Sequence, residues 1–260
     1  YLTTFAIKTD GTLWAWGNNL NGVLGLGNQT LYSSPKQVGT LTNWAQVAPG
    51  QYATVALKTD GTLWGWGNNL NYELGLGNTT YYSSPVQIGS QTNWASVTMG
   101  NQQFLATRTD GTLWAWGQNQ YGQLGLNGTG IISRPSQIGS LTNWASVSCG
   151  NWFTLATKTD GTLWAWGKNN NGQLGLGNLN YYSSPKQVGT LTNWLIVSGA
   201  YSFTHAIKTD GTLWAWGLGS YYLGLNVATS YSSPKQVGTL TNWNVLPTNR
   251  CGSYHTVAGQ

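Results

Sequence analysis

One hexapeptide, Thr-Asp-Gly-Thr-Leu-Trp, occurs five times in the chain, and successive copies are 50 residues apart. A fixed period of this length is typical of propellers and solenoids, in which each unit buries its apolar face against its neighbours. We therefore predict a single domain over residues 1–260, built from five units. The approximate bounds are 1–43, 44–93, 94–143, 144–193 and 194–242, and we expect residues 243–260 to close onto the first unit.

The Asp-Gly pair inside each copy lies between β-forming residues, which predicts a two-residue β-hairpin turn. In the second unit this turn pairs residues 55–58 with residues 63–66, beginning with Lys58 opposite Leu63. Strand alternation then gives the hairpin one bulky face and one small face. The bulky face carries Val55, Leu57, Trp64 and Trp66, and the small face carries Thr54, Ala56 and Gly65.

A sheet with such faces can stack its tryptophans on the small face of the next copy, as the blades of a β-propeller do. Pro35 to Val38 and Trp44 to Val47 supply two more strands, so we predict an all-β propeller of four-stranded blades. The residues expected to hold this repeat together are Asp10, Gly11, Trp14, Trp16, Asp60, Gly61, Trp64, Trp66, Asp110, Trp114, Trp116, Asp160, Trp164, Trp166, Asp210, Trp214 and Trp216.

The glycine and asparagine pattern between the hairpins is more specific. Trp16-Gly17-Asn18-Asn19, Gly22 and Leu24-Gly25-Leu26-Gly27, with Gly50-x-x-x-Thr54-x-Ala56-Leu57, resemble the repeat of the regulator of chromosome condensation (RCC1-like) β-propeller family. The likeness recurs in all five units, although residues 218–225 lack the asparagine and are one residue shorter. The resemblance implies seven blades, so the alternatives are a five-bladed ring and a part of a seven-bladed one. Divergence after Asn244 favours five blades.

Charge is scarce, since charged residues make up 7% of the chain against roughly 25% in an average domain. The formal net charge of +5 could indicate nucleic acid, but the basic residues never cluster, so we expect no nucleic-acid binding. No apolar run is long enough to span a membrane. Abundant Asn, Thr, Ser and Gly suit an extracellular or particle-surface location.

The sequence contains few residues of the types that catalyse reactions. Five of the six carboxylates are the turn aspartates, and the sixth is Glu73. Neither paired-carboxylate catalysis nor a calcium site follows from such spacing. The residues that break the repeat belong to different units and form no triad: Glu73, Arg134, Trp152, His205, Arg250 and His255. We therefore expect no enzyme activity, no cofactor and no metal.

The remaining titratable residues favour structural roles. His205 aligns with Leu155 and Val55, which indicates a core or channel-lining position. Cys149 and Cys251 precede equivalent glycines in units two blades apart, so buried free thiols are expected. The glycines of Leu-Gly-Leu-Gly do not lie between a strand and a helix, which argues against a phosphate-binding loop.

Each unit presents an asparagine-rich loop, and some present a tyrosine-rich one. Amide groups beside aromatic rings suit sugars, whose hydroxyls need hydrogen-bond partners and whose C–H faces pack on rings. The candidate ligand-binding residues are Asn18, Asn19, Tyr81, Tyr82, Asn169, Asn170, Tyr181 and Tyr182. Asn28, Asn78 and Asn127 begin Asn-x-Thr sequons that we place at one shared loop position, where glycosylation stays open.

These observations favour a non-enzymatic binding or structural module. We expect a surface, adhesion or virion-associated protein that contacts a protein or polymer through its repeated loops, either alone or as part of a larger assembly. Near-identical units favour this hypothesis, because repeated weak contacts gain strength by avidity. The alternative is a multivalent lectin, and a third candidate is a secreted protein inhibitor of an enzyme. The nucleotide-exchange activity for which the family is named depends on loops and insertions that these units lack.

Overall fold

The computed structural model describes residues 3–246 and residue 259. This part of the chain forms nineteen β-strands in five antiparallel sheets that follow one another along the sequence. Sheet 1 has three strands and sheets 2 to 5 have four each. The all-β prediction of stacked propeller blades is therefore confirmed.

The strands of sheets 1 and 2 are β1 (Thr3–Ile7), β2 (Leu13–Gly17), β3 (Tyr32–Gln37), β4 (Trp44–Pro49), β5 (Ala53–Lys58), β6 (Leu63–Gly67) and β7 (Tyr82–Gln87). Sheet 3 contains β8 (Trp94–Met99), β9 (Gln103–Arg108), β10 (Leu113–Gly117) and β11 (Ile132–Gln137). Sheet 4 contains β12 (Trp144–Cys149), β13 (Phe153–Lys158), β14 (Leu163–Gly167) and β15 (Tyr182–Gln187). Sheet 5 contains β16 (Trp194–Gly199), β17 (Phe203–Lys208), β18 (Leu213–Gly217) and β19 (Tyr231–Gln236).

The first strands of neighbouring four-stranded sheets touch one another, β4 with β8, β8 with β12 and β12 with β16. These strands form the inner edge of the stack. The last strands, which contain the Ser-Pro or Arg-Pro step, have no buried residue and form the outer edge. We call the contacts between sheets 1 and 2, 2 and 3, 3 and 4, and 4 and 5 the first to fourth junctions.

The hairpin register differs from the prediction. Leu57 pairs with Leu63, Ala56 with Trp64, Val55 with Gly65 and Thr54 with Trp66. The loop is one residue longer than predicted, because Lys58 accepts a hydrogen bond from the Gly61 amide and donates its own amide to the Thr62 carbonyl. Gly61 takes the left-handed conformation (φ 75°) that a three-residue loop requires. Each tryptophan therefore lies on the face opposite to the predicted one, beside the small residues and not beside Val55 and Leu57.

The corrected faces explain how the sheets stack. Trp66 is fully buried against sheet 1, where its indole Nε1 and the Thr54 hydroxyl both donate to the Val23 carbonyl, at 2.7 and 2.9 Å. A side chain at Gly25 would lie 2.8 Å from the Trp66 indole, so glycine lets the ring approach the backbone. Trp116, Trp166 and Trp216 repeat the arrangement. In sheet 1, Trp16 is half-buried and Thr4 is exposed.

The predicted closing segment lies mostly outside the described residues, and so do Arg250, Cys251 and His255. Of residues 243–260, the structure describes 243–246 and 259. Val245 and Gly259 form an isolated antiparallel bridge, and Trp243 and Leu246 pack against Ile207 and Leu213 of sheet 5.

Candidate functional site

The five turn aspartates are committed to local hydrogen bonds. In the second unit, the Asp60 carboxylate accepts the Thr62 amide at 3.0 Å and the Thr62 hydroxyl at 2.6 Å, and that hydroxyl accepts the Trp64 indole Nε1 at 2.9 Å. The other four units repeat this chain of bonds. The two threonine bonds lower the pKa of each aspartate, to about 2 at Asp10. These carboxylates stabilise turns.

The basic residue two positions before each aspartate stacks on tryptophan. The Lys58 ammonium lies 3.6 Å from the Trp64 ring centre and 5.0 Å from that of Trp44, and its pKa is lowered by burial. Equivalent contacts occur at Arg108, Lys158 and Lys208. Cation–π contacts of this kind stabilise the turn end of each hairpin. Much of the positive charge therefore serves the repeat and forms no basic patch.

Glu73 takes a position that glutamine holds in the next two units. Its carboxylate is buried and accepts the Asn71 backbone amide at 2.8 Å, as Gln123 accepts the Tyr121 amide at 2.9 Å. Burial raises the pKa of Glu73. A side chain that glutamine can replace in the same bond has a structural role in its loop.

Two other residues considered for chemistry are also core residues. His205 lies on the aliphatic face of β17, where it pairs with Ala215 and meets the Phe203 ring edge-on at 5.5 Å. Burial lowers its pKa to about 4. Cys149 is a buried free thiol whose pKa burial raises to about 12.

The asparagine loops require a correction. Asn19 and Asn169 are fully buried, and each amide closes its own loop by donating to two loop carbonyls and accepting the amide of Leu24 or Leu174. They are not available to a ligand. Asn18 and Asn170 remain at the surface, and the Asn18 side chain accepts the Leu20 amide.

The predicted tyrosines divide into two kinds. Tyr82 and Tyr182 are half-buried and pack on the cores between sheets. Tyr81 and Tyr181 are exposed at 37% and 46%. Of the four, Tyr181 joins a larger aromatic group.

The shared sequon position is wrong for Asn127. Its amide donates to the Ser183 carbonyl, which is the bond that Gly27 and Gly77 make in their units. Asn127 thus replaces a left-handed glycine (φ 61°), whereas Asn28 and Asn78 lie one position later.

An aromatic group at the third junction sets that junction apart from the others. The Tyr121 ring lies 5.9 Å from Trp152 and 5.7 Å from Tyr181, both nearly edge-on, and the Lys168 ammonium lies 5.2 Å from the Tyr121 ring centre. We call Tyr121, Trp152, Lys168 and Tyr181 the aromatic surface. Its members come from the loop after β10, the turn before β13, the residue that follows β14 and the loop before β15.

At the other junctions, the positions of the aromatic surface are occupied by other types of side chain. At the second junction, Gln118 donates to the Asn71 side chain at 2.9 Å, where the third junction has Lys168 against Tyr121. The position of Trp152 is taken by Tyr52, Gln102 and Ser202 in the other four-stranded sheets. The sequence indicated Trp152 as a break in the repeat, but nothing in the sequence predicted its contact with Tyr121.

Trp152 also holds an unusual backbone conformation. Its φ is 70°, a region that bulky residues rarely adopt, while its counterparts have negative φ. Its carbonyl accepts the Lys168 amide at 2.9 Å, which fixes the turn. Strain of about 1–2 kcal/mol at one residue is often found at functional sites. In this conformation the Trp152 indole is half-buried at the surface.

Within the described residues, no group of three or more His, Cys, Asp or Glu side chains is placed to hold a metal ion. The same part of the chain contains no helix of the length and apolarity needed to cross a membrane.

Comparison with known proteins identifies the fold. The family model described as RCC1-like domain matches residues 1–260. The structure of Prp20p from Saccharomyces cerevisiae superimposes with a TM-score of 0.84 at 21% identity, over 98% of this chain and 65% of that one. Human WBSCR16 gives 0.85 at 21% identity, over 99% and 69%.

Yeast RCC1 (Prp20) bound to Kap60 gives a TM-score of 0.84 at 20% identity, over 98% of this chain and 63% of that one. The chain thus spans just under two thirds of the length of the yeast proteins. No curated protein sequence matches it. The resemblance found in the repeat is confirmed.

Proposed function

Because the chain belongs to the RCC1-like domain family, we propose that it is a non-enzymatic module that binds a partner protein through the aromatic surface. Solved structures of the same fold are described by their protein partners: Prp20p by its binding to Gsp1p and histones, and yeast RCC1 by its complex with Kap60. Those partners belong to those proteins. The fold supports protein binding by this chain, and the aromatic surface supports the position of the binding site on it.

The aromatic surface carries this proposal. Tyrosine and tryptophan are enriched where protein interfaces concentrate their binding free energy, because they bury large areas at low entropic cost. Here the Tyr121 ring already contacts both Trp152 and Tyr181, so little side-chain freedom is left to lose on binding. Lys168 adds one positive charge beside the rings. A partner with an apolar protrusion beside an acidic group complements this arrangement.

The finer expectations remain proposals. A surface, adhesion or virion-associated role fits the low charge of the chain, and inhibition of a secreted enzyme would also use one protein-binding face. Contact through all repeated loops has less support, since Asn19 and Asn169 are buried. A lectin is the alternative, and it needs a site other than those two amides.

The test uses Trp152→Gly and Tyr181→Leu, with Tyr81→Leu as the matched control in another unit. Partner proteins would be captured from an extract of the source organism, identified by mass spectrometry and titrated against each variant. Glycine at 152 relieves the backbone strain, so that variant should remain folded. We expect each change in the aromatic surface to weaken binding by about tenfold or more, and the control to bind like the parent chain. If the two variants of the aromatic surface bound the partner as tightly as the Tyr81→Leu control, the proposal would be contradicted.

A further inference from the structure

Two cavities of the same construction open at the outer edge of the stack. One lies at the third junction, with a volume of about 240 Å³, and the other at the fourth, with about 330 Å³. The lining of the third-junction cavity includes Gly139, Leu141, Trp144, Trp164, Ser184 and Pro185. At the fourth junction the corresponding residues are Gly189, Leu191, Trp194, Trp214, Ser233 and Pro234. The cavity is therefore a product of the repeat.

The second junction has the same cavity position, but its own side chains fill it. There Arg134 replaces the serine, and its guanidinium lies over Gly77, within 2.6 Å of where a Cβ would be. On the opposite wall, Gln91 replaces the leucine and folds over Gly89. At Gly39, Gly139 and Gly189 the equivalent space is open, and the nearest atom to Gly27 is the Ser84 hydroxyl at 3.4 Å. At the first junction no bulky side chain covers Gly27 or Gly39, which resembles the open third and fourth junctions, whereas the second junction is closed.

The lining defines the chemistry of an occupant. No charged side chain is among the residues that line the cavities of the third and fourth junctions. The nearest charges are the Lys158 and Lys208 ammonium groups, which stack on the Trp164 and Trp214 rings, so the lining favours a neutral occupant.

Trp164 and Trp214, which are partly exposed, and the neighbouring proline offer apolar surface on which C–H groups can pack, whereas Trp144 and Trp194 are buried. The Ser184 hydroxyl is half-buried and can donate and accept. The two cavity volumes are near the lower end of the range for small-molecule sites. Such a cavity has room for a ligand with a single ring but not for a drug-sized ligand.

We propose that each open junction binds one neutral sugar residue, with its C–H face on the tryptophan of the third strand and its hydroxyls on the Ser-Pro step. The chain would then carry three equivalent sites at the first, third and fourth junctions, and none at the second. Sites repeated along one edge suit a polymeric glycan, because weak single contacts add up by avidity. This site is separate from the aromatic surface and does not rest on protein binding there.

The experiment follows the indole N–H signals of the tryptophans by ¹H–¹⁵N NMR. The probes are the methyl glycosides of glucose, galactose, mannose and fucose, and N-acetylglucosamine, each titrated to millimolar concentration. At least one probe should shift the indoles of Trp164 and Trp214 saturably and leave that of Trp114 unchanged, because Arg134 and Gln91 close its cavity. No saturable shift with any probe, or an equal shift at Trp114, would overturn the proposal.

Variants that exchange residues between equivalent positions of the repeat units test the assignment of the sites. Ser184→Arg copies Arg134 and should abolish the Trp164 shift while Trp214 still responds. Ser184→Ala keeps the cavity open but removes the proposed hydroxyl partner, so it should weaken the Trp164 shift without abolishing it. Arg134→Ser with Gln91→Leu should open the second junction and give Trp114 a saturable shift. If neither Ser184→Arg nor Arg134→Ser with Gln91→Leu changed the indole shifts, the sugar would bind elsewhere and the assignment would be overturned. Unchanged far-ultraviolet circular dichroism and melting temperature would establish that each variant is folded.

Discussion

At the scale of single residues, His205 shows how one polar side chain can be held in an apolar core. It occupies the position of Leu155 and Val55, faces Ala215 across the hairpin and lies against the Phe203 ring. Burial favours the neutral imidazole and lowers its pKa from 6.5 to about 4. The unfolded chain therefore binds a proton at this residue before the folded chain does.

His205→Leu tests this coupling between pH and stability. In the parent chain the contribution of the neutral histidine is fully present above pH 6.5 and is lost as the pH falls toward 4, by about 3 kcal/mol. Leucine, which the repeat already uses at this position, removes that dependence. Urea unfolding at pH 7 and pH 4.5 should show a smaller loss of stability for the variant. Equal losses in the two proteins would rule out His205 as the source.

Glu73 gives the opposite dependence. Its folded pKa is raised, so the folded chain binds the proton more tightly and stability falls as the pH rises above the ordinary glutamate value of about 4.5. Glu73→Gln keeps the acceptor oxygen that the Asn71 amide needs, as Gln123 does for Tyr121. We expect the variant to melt at a higher temperature than the parent chain at pH 7 and to match it near pH 4. A lower melting temperature at pH 7 would contradict this.

At the scale of the element, the hairpin shows what sequence reasoning recovered and what it missed. The Asp-Gly signal located the turn and both strands correctly. It missed the register because the Lys58 backbone bonds to Gly61 and Thr62 close a loop that is one residue longer, and the Asp60 carboxylate stabilises this loop by accepting two bonds from Thr62. Two-residue and three-residue loops share the same Asp-Gly signature. A difference of one residue moves every tryptophan to the other face.

Gly61→Ala tests the geometry of the turn. The position has φ 75°, and a Cβ there would lie 2.1 Å from the Thr92 carbonyl oxygen, a backbone atom that cannot move aside easily. Gly39→Ala is the control, since its φ is 61° but no atom lies within 4 Å. The control should lose about 1–2 kcal/mol from strain alone, and Gly61→Ala should lose more. Equal losses in urea unfolding would show that the contact with Thr92 can relax.

At the scale of the whole molecule, the sequence predicted the propeller blades because a constant period forces every junction to repeat one contact. Trp66 on the Val23 carbonyl and Trp116 on the Glu73 carbonyl are the same interaction in successive junctions. The site could not be predicted in the same way. Trp152 and Tyr181 are 29 positions apart, and they meet Tyr121 only where two sheets stack. Single departures from a repeat carry no periodic signal.

The central claim is that the repeat is the scaffold and that one junction carries the partner site. Hydrogen–deuterium exchange on the complex with the captured partner tests it most directly, by comparing backbone amides of equivalent loops. We predict protection at residues 118–123, 150–153 and 167–170 of the third junction, with the corresponding loops of the other junctions unchanged. Equal protection in the loops of all four junctions would contradict the claim and favour repeated contacts along the stack.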